Sequence, residues 1–368
     1  MCYLSTLRES GVTRKLEAQV AAWRDAGHDA RLHVLVPVGG AARRRLLELE
    51  ASGASVVTFA SAARRLTATR ELARRIAREA PDAVYMRYDL FTPPLPLLLR
   101  DLLLVVEVNS NTAEWRGHRG TMARAYNAVH GRLVVARASG FVVVARELRD
   151  ASASTGKPCV VVSNGYDLCA AGTLPPPGNE RPRLVFLGEP APWQGADKLV
   201  ALARLLPDVD VDIVGYRADQ LPGAPGNVTC HSVLTREEFE PILASADVAV
   251  GTLALHRKEM SEASPLKLRE YLAYGLPAIV AYEDTDFPAP QPFLLRLRNA
   301  EDSIDVAAAE RVREFVASWR GRRVPRDAVA HLDIHVKEAE RLEFVESLLR
   351  ARRLDVKRRD PRPRSRRP

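Results

Sequence analysis

At 368 residues the chain exceeds what one hydrophobic core ordinarily organises, so two domains are expected. Its 46% apolar and 27% charged residues are those of a globular protein and exclude wholesale disorder, a collagen-like chain or a coiled coil. The net charge of +8 conceals a polarised chain: residues 1–165 carry 24 basic against 15 acidic side chains, 166–349 carry 20 against 29, and 350–368 carry 10 against 2.

An apolar strand over Cys2–Leu7 opens the chain, followed by a turn at Gly11 and an amphipathic helix over Thr13–Ala26 that Gly27 and His28 end. Strands follow at Ala30–Pro37, Ser55–Phe59, Ala83–Met86, Leu103–Val108, Gly140–Val144 and Cys159–Ser163. Helix-period segments at 41–51, 62–80, 121–138 and 146–155 lie between them. Strands that alternate with helices imply a parallel, doubly wound sheet. Leu174–Pro182, rich in proline, is a linker by composition. The alternation then restarts with strand Leu184–Leu187, helix Ala196–Leu206, strands Val211–Val214 and Val228–His231, helix Thr235–Ser245, strand Val248–Gly251, helix Ser264–Ala273 and strand Pro277–Ala281. From Asp302 to Arg350 the chain reads as mostly helical, with a break at Arg320–Pro325. The arginine- and proline-rich tail at 351–368 is too polar to bury surface and is expected to be disordered. The expected domains are residues 1–170 and 183–300, joined by a linker at 171–182 and followed by C-terminal helices at 301–350. Two such Rossmann-like halves enclose a cleft between their carboxyl edges, where ligands of these sheets bind.

Missing motifs narrow the chemistry. No G-x-G-x-x-G follows the first strand, Gly156-Lys157 runs into Pro158 rather than completing a phosphate loop, and neither H-E-x-x-H nor G-x-S-x-G occurs. Cys2, Cys159, Cys169 and Cys230 are scattered, which opposes a disulfide framework or structural zinc and fits a reducing compartment. Met1–Arg8 is charged too soon for a secretory signal, and the longest apolar run, Leu102–Val106, is far below the roughly 20 residues of a membrane helix. The helix over Ala62–Ala80 carries Arg64, Arg65, Arg70, Arg74, Arg75 and Arg78 against Glu71 and Glu79, with Leu66, Leu72 and Ile76 as its buried stripe. A solvated face explains that charge; so does docking on an anionic membrane. Nucleic-acid binding is not expected, because aromatics make up only 6% and are not interleaved with the basic residues.

Residues 261–277 carry the most chemistry. Ser264 suits an N-cap and Pro265 the first helical position, so the amides from Leu266 onward are expected to face the preceding loop as an anion site. Lys267 adds a cation where the helix dipole alone would disfavour one, which points to an anionic ligand. Glu262 and Glu270 flank this position, spaced to accept from hydroxyls on either side of a diphosphate. A capped surface helix with solvated acids reads the same residues equally well.

The E-x7-E block Glu262–Glu270 resembles the donor-site signature of retaining glycosyltransferases of the family 4 type, which have the GT-B fold. The resemblance extends to Ser10–Arg14, Asn164–Asp167, Phe186–Gly188 with Trp193–Gly195, Val214–Tyr216 and Val233–Asp247, and so spans roughly residues 1–350. It implies an α/β GT-B architecture of two Rossmann-like domains facing a central cleft, with C-terminal helices, the first domain taking the acceptor and the second a nucleoside-diphosphate sugar. By carry-over Glu262 is the catalytic acid that contacts the donor sugar, Glu270 holds the ribose, and Gly188, Ser264, Pro265, Leu266 and Lys267 surround the diphosphate. Gly11 admits the first domain close to the donor, although an ordinary tight turn explains it too. The implied activity is hexosyl transfer with retention to a glycan or lipid-linked acceptor, without an obligatory metal, by a cytoplasmic protein peripheral to the inner membrane face.

The sequence also departs from that pattern. Glu189 follows Gly188 and Gln194 stands in Trp-Gln-Gly, where many relatives place cations; Arg257, Lys258 and Lys267 are the candidate substitutes. Where many relatives carry a first-domain histidine near the acceptor, this chain has Glu107-Val-Asn-Ser-Asn111, so Asn109 or Glu107 takes the related place. Arg87, at the end of a strand, is a candidate ligand for an anionic acceptor, whereas core packing accounts for Tyr85. His231 is a candidate base contact, while His28, His118 and His130 read as structural or surface residues. The rivals are a GT-B protein that binds without turnover, favoured by the missing cations, and a nucleotide-sugar epimerase.

Overall fold

The computed structural model describes residues 2–4, 11–38, 49–88, 95–111, 129, 131–153 and 155–359. Strands β1 (Cys2–Leu4), β2 (His33–Pro37), β3 (Ser55–Phe59), β4 (Ala83–Arg87), β5 (Leu103–Val108), β6 (Gly140–Val143) and β7 (Cys159–Val161) form one sheet in the order β3-β2-β1-β4-β5-β6-β7. Every pairing is parallel. Crossovers run through α1 (Gly11–Asp25), α2 (Ala62–Arg78), the short α3 (Leu95–Leu98), a helical run at 131–137, and α4 (Arg146–Ala153). Covered on both faces, the central strands are continuous apolar runs; Leu103–Val106 is wholly buried.

The second sheet joins β8 (Arg183–Leu187), β9 (Asp210–Val214), β10 (Val228–His231), β11 (Val248–Val250), β13 (Ala278–Val280) and β15 (Leu294–Arg296) in the order β10-β9-β8-β11-β13-β15, again wholly parallel. A two-strand ribbon of β12 (Glu262–Ala263) and β14 (Glu283–Asp284) stands apart from it. Helices α5 (Ala196–Leu205), α6 (Arg236–Ser245) and α7 (Leu266–Ala273) connect the strands, followed by α8 (Val306–Trp319) and α9 (Ile334–Arg359). Both sheets reverse their strand order beside the first strand of the half, the switch point at which ligands of doubly wound sheets sit.

Several elements differ from the sequence expectation. β15, α3 and the ribbon went unread because two to four residues are too few to show a period. In α2, Leu66 is exposed, and Ala68 and Ala73 fill the stripe beside Leu72 and Ile76. Residues 351–359, expected to be disordered, continue α9 as helix. His118, His130, and the expected strand end at 5–7 and helix segments at 41–48 and 121–128 lie outside the described residues.

Helix α9 returns to the first sheet. The Trp23 indole donates to Glu338 at 2.8 Å, and Arg341 donates to the carbonyls of Val162 and Ser163 at 3.0 and 2.8 Å. The linker is held by Arg323, which donates to the carbonyls of Leu174 and Pro175. Between the two sheets lies a buried charge network. Arg269 of α7 pairs bidentately with Asp284 at 2.9 Å and with Asp286 at 2.6 Å, while Lys337 of α9 reaches Asp286 at 2.7 Å. Ser163 donates to the same Asp286, and Arg269 Nε donates to the Asn164 carbonyl. Pairs of this kind fix geometry more surely than they add stability.

Candidate functional site

The carboxyl ends of the two sheets face each other across a cleft of about 660 Å³, a volume ordinary for a small-molecule site. From the first domain, Arg87 at the end of β4 and Asn109 just beyond β5 reach its wall, and Arg14 reaches it from α1. From the second, Gly188 follows β8 directly, and Ser264–Lys267 and Glu270 present the start of α7.

Gly188 and Gly215 are required by close approach. Gly215 sits at φ +98°, and a Cβ there would lie 2.1 Å from the Gly188 carbonyl oxygen. A Cβ on Gly188 would fall 3.0 Å from Lys267 Nζ. The loop after β8 is therefore as thin as a backbone allows where the lysine enters.

Helix α7 begins one residue later than the sequence suggested. Pro265, extended at φ −70° and ψ 138°, is the N-cap, and its carbonyl accepts from Leu268 and Arg269. Ser264 makes no cap: its hydroxyl accepts from the Asn164 amide at 2.8 Å and from Arg269 at 2.9 Å, tying the helix start to the first domain. Leu266 and Lys267 then carry the N–H groups that precede the first helical donor, Leu268. Lys267 Nζ lies 3.9 Å from the Phe186 ring centre and donates to Gln194 at 2.6 Å. With no carboxylate partner among the described residues, burial pushes this amine down to about 7. The arrangement suits an anion, which would supply the missing counter-charge.

Glu270, on the second turn of α7, accepts from the Tyr166 hydroxyl at 2.9 Å, with Arg14 3.7 Å away. Its carboxylate also borders a smaller cavity of about 230 Å³ beside α1 and Tyr166.

Glu262 does not line the cleft, which corrects the expectation that it meets a donor sugar there. Its carboxylate caps α4 instead, accepting from the amides of Arg146 at 2.8 Å and Glu147 at 3.2 Å, with the Arg146 guanidinium at 3.1 Å. Glu147 reciprocates, accepting from the Ser261 amide and hydroxyl at 3.1 and 3.0 Å. A helix N-terminus attracts a carboxylate, and here it does so across the domain boundary.

Two other expectations are corrected on the same grounds. His231 is no lining residue of the cleft; its ring lies 2.7 Å from Asp212 on the neighbouring strand, while Val233 and Leu234 reach the cleft wall. Glu107 is fully buried, where it accepts from Lys15 at 2.6 Å and Tyr85 at 2.7 Å, with Arg341 at 3.7 Å. Burial alone would raise its carboxyl, but Lys15, Arg341 and Arg87 outweigh that and hold it well below the usual range. Asn109, which donates to Glu107 at 2.7 Å, is the neighbour that faces the cleft.

The cation count is settled by partners. Arg257 is committed to Asp197 at 2.8 Å and to Glu301, whereas Lys258, over the Trp193 ring at 4.0 Å, and Lys267 line the cleft. Gly11 opens α1, and residues 5–10, directly before it, lie outside the described set. Sequence reasoning missed Tyr166 as the partner of Glu270 and Arg269 as the interdomain anchor. The Asn-Gly-Tyr-Asp turn was the one available signal for the former; the latter carries none.

Neither protein-family models nor curated protein sequences match the chain. Its structure is similar to that of HepE from Anabaena bound to UDP-glucose, at 15% identity over 94% of this chain and 99% of that one, with a TM-score of 0.63. It is similar also to a glycosyltransferase from Rickettsia africae (13% identity, 95% and 98% covered, TM-score 0.65). The lipopolysaccharide outer core galactosyltransferase WaaB matches at 11% identity, 94% and 99% covered, TM-score 0.63. The chain has the GT-B fold. Two of these three neighbours are glycosyltransferases, and at such identities the likeness speaks to architecture alone.

Proposed function

We propose that the protein is a glycosyltransferase that binds a nucleoside-diphosphate sugar in the interdomain cleft and passes the sugar to a glycan or lipid-linked acceptor. The observation that carries this is the start of α7: the Leu266 and Lys267 amides and an amine without a carboxylate partner among the described residues stand beside Glu270, one turn further on. An anionic diphosphate takes the amides and the amine, and the attached ribose offers its diol to Glu270. The neighbouring HepE binds UDP-glucose, which supports a uridine donor. Charge developing on the leaving diphosphate would be met by groups already in place, the usual source of catalysis in group transfer, with no metal required. Arg87 and Asn109, across the cleft, are the acceptor-side groups. Retention, hexosyl transfer and kinship with family 4 rest on the E-x7-E resemblance. A cytoplasmic location and docking on an anionic membrane rest on the cysteine pattern and on the basic first half; no described helix is long and apolar enough to cross a membrane.

Binding without turnover is the second reading, and one observation favours it: Glu262, the expected sugar contact, is engaged with α4. Calorimetric titration of UDP-glucose and other nucleotide sugars, followed by assay of donor hydrolysis and transfer, separates the two. Donor binding abolished by Lys267→Met supports the site, turnover supports the enzyme, and a wild type that binds no nucleotide refutes both.

A further inference from the structure

Among the described residues, the side-chain hydrogen bond to the Glu270 carboxylate comes from a neutral donor, Tyr166, with the Arg14 ion pair further off, and that donor belongs to the chain segment crossing between the domains. Gly165 lets this segment pass against the start of α9, where a Cβ would lie 2.9 Å from Ile334 Cα. Tyr166 is fixed there at both backbone groups: its amide donates to Leu332 at 2.9 Å and its carbonyl accepts from Ile334 at 2.9 Å. From this anchored backbone the phenol reaches into the second domain and donates to Glu270 Oε1 at 2.9 Å. Arg14, from α1, approaches the same oxygen no closer than 3.7 Å.

We propose that Tyr166 is a positioning residue for the nucleotide ribose: it ties one carboxylate oxygen of Glu270 so that the other is presented to the ribose diol. This deepens the donor reading and rests on it. A carboxylate on a flexible side chain must lose rotamer freedom before it can accept two hydroxyls, and a pre-formed hydrogen bond removes part of that cost before the ligand arrives. Burial and the adjoining Glu270 charge both keep the phenol protonated, so the tether persists across the physiological pH range. It also makes the site sensitive to the interdomain crossing, because the phenol is set by residues 332–334 rather than by α7.

The test is a thermodynamic cycle by calorimetry on the full chain, with UDP and 2′,3′-dideoxy-UDP as probes and ADP and GDP in parallel. Tyr166→Phe removes one oxygen and nothing else. The expected result is a five- to tenfold weaker Kd for UDP, in the range of one ordinary hydrogen bond lost, with the dideoxy analogue changed less than twofold. In a Glu270→Ala background Tyr166→Phe should cost nothing further. Equal weakening of UDP and its dideoxy analogue, or no weakening of either, overturns the tether while leaving the donor site standing. A wild type that binds none of UDP, ADP and GDP overturns the donor reading and the tether with it.

Discussion

Lys267 gives the donor site a pH signature that can be worked through. With its amine pushed down to about 7, roughly a tenth of the molecules carry the charge at pH 8. A diphosphate selects the charged form, so binding at pH 8 must first restore the proton, at a cost of about 1.4 kcal/mol or a factor of about ten in Kd. That figure is an upper bound, since solvent in an open cleft screens the charge. Affinity is therefore fullest below pH 7 and weakens as pH rises from 7 towards 9. The linkage for the free protein has the opposite slope. Its unfolded chain, with an ordinary lysine near 10.5, binds more protons across the window from about 7 to 10.5, so Lys267 makes stability rise with pH there. Titration of UDP at pH 7, 8 and 9, in pairs of buffers with different ionisation heats, measures the proton directly. Uptake approaching one proton at pH 8 is expected, and Lys267→Met should abolish both the uptake and the slope. Uptake near zero in the wild type, or the same pH profile in the variant, refutes the assignment of this amine to the diphosphate.

Glu262→Gln should lower stability by about 1–2 kcal/mol, because a charged cap on the α4 amides and the Arg146 pair are lost together. The ratio of UDP-glucose to UDP affinity should stay unchanged; a fall in that ratio would return Glu262 to the donor. Arg269→Met leaves the buried Asp284 without its cation and Asp286 with Lys337 alone, and denaturant unfolding should show a loss of about 3–5 kcal/mol. A loss below 1 kcal/mol would mean the network is not part of the folded interface. Flotation with phosphatidylglycerol vesicles at low salt tests membrane docking through the exposed Arg64, Arg70 and Arg74 of α2 beside Leu97 and Leu98 of α3. Reversal to Arg70→Glu and Arg74→Glu should release the protein, and equal recovery with neutral vesicles would remove the proposal.

The alternation of strands and helices was readable because parallel strands buried on both faces, such as Leu103–Val106, are continuous apolar runs, and because a helix such as α2 keeps its period. Gly188, just beyond β8, was marked in the sequence by the Phe-Leu-Gly run of the family resemblance. What escaped depends on partners far apart in sequence. Arg269 looks like any exposed helix arginine until Asp284, Asp286 and Lys337 converge on it. His231 carries a strand-end signal that suits a base contact equally with its actual partner, Asp212. Glu107 offered a carboxylate beside the expected acceptor position, yet Lys15, Tyr85 and Arg341 absorb it into the core. An E-x7-E spacing fixes how far apart two acids stand along the chain; it does not fix where the first one turns when an extended residue such as Pro265 separates it from the helix.

The two acids of that block have consequently divided the work of the interface. Glu270 stays with the cleft because the second turn of α7 aims it there and Tyr166 holds it. Glu262, on a two-residue strand outside the helix, is free to meet the nearest positive end, and α4 presents one together with Arg146. Arg146 in turn reaches Glu283 at 3.2 Å and the Thr285 carbonyl at 3.1 Å, so the same arginine binds the ribbon on which Glu262 sits. Any motion that opened the cleft would pull Glu262 from the α4 amides and Asn164 from Ser264 at once. Both contacts are short and local, whereas the Arg269 network lies beside the interdomain crossing and the C-terminal return. Asn164 nevertheless joins the two sets, since its amide donates to Ser264 and its carbonyl accepts from Arg269, so the contacts that hold the cleft and the buried charges that align α7 form one connected network.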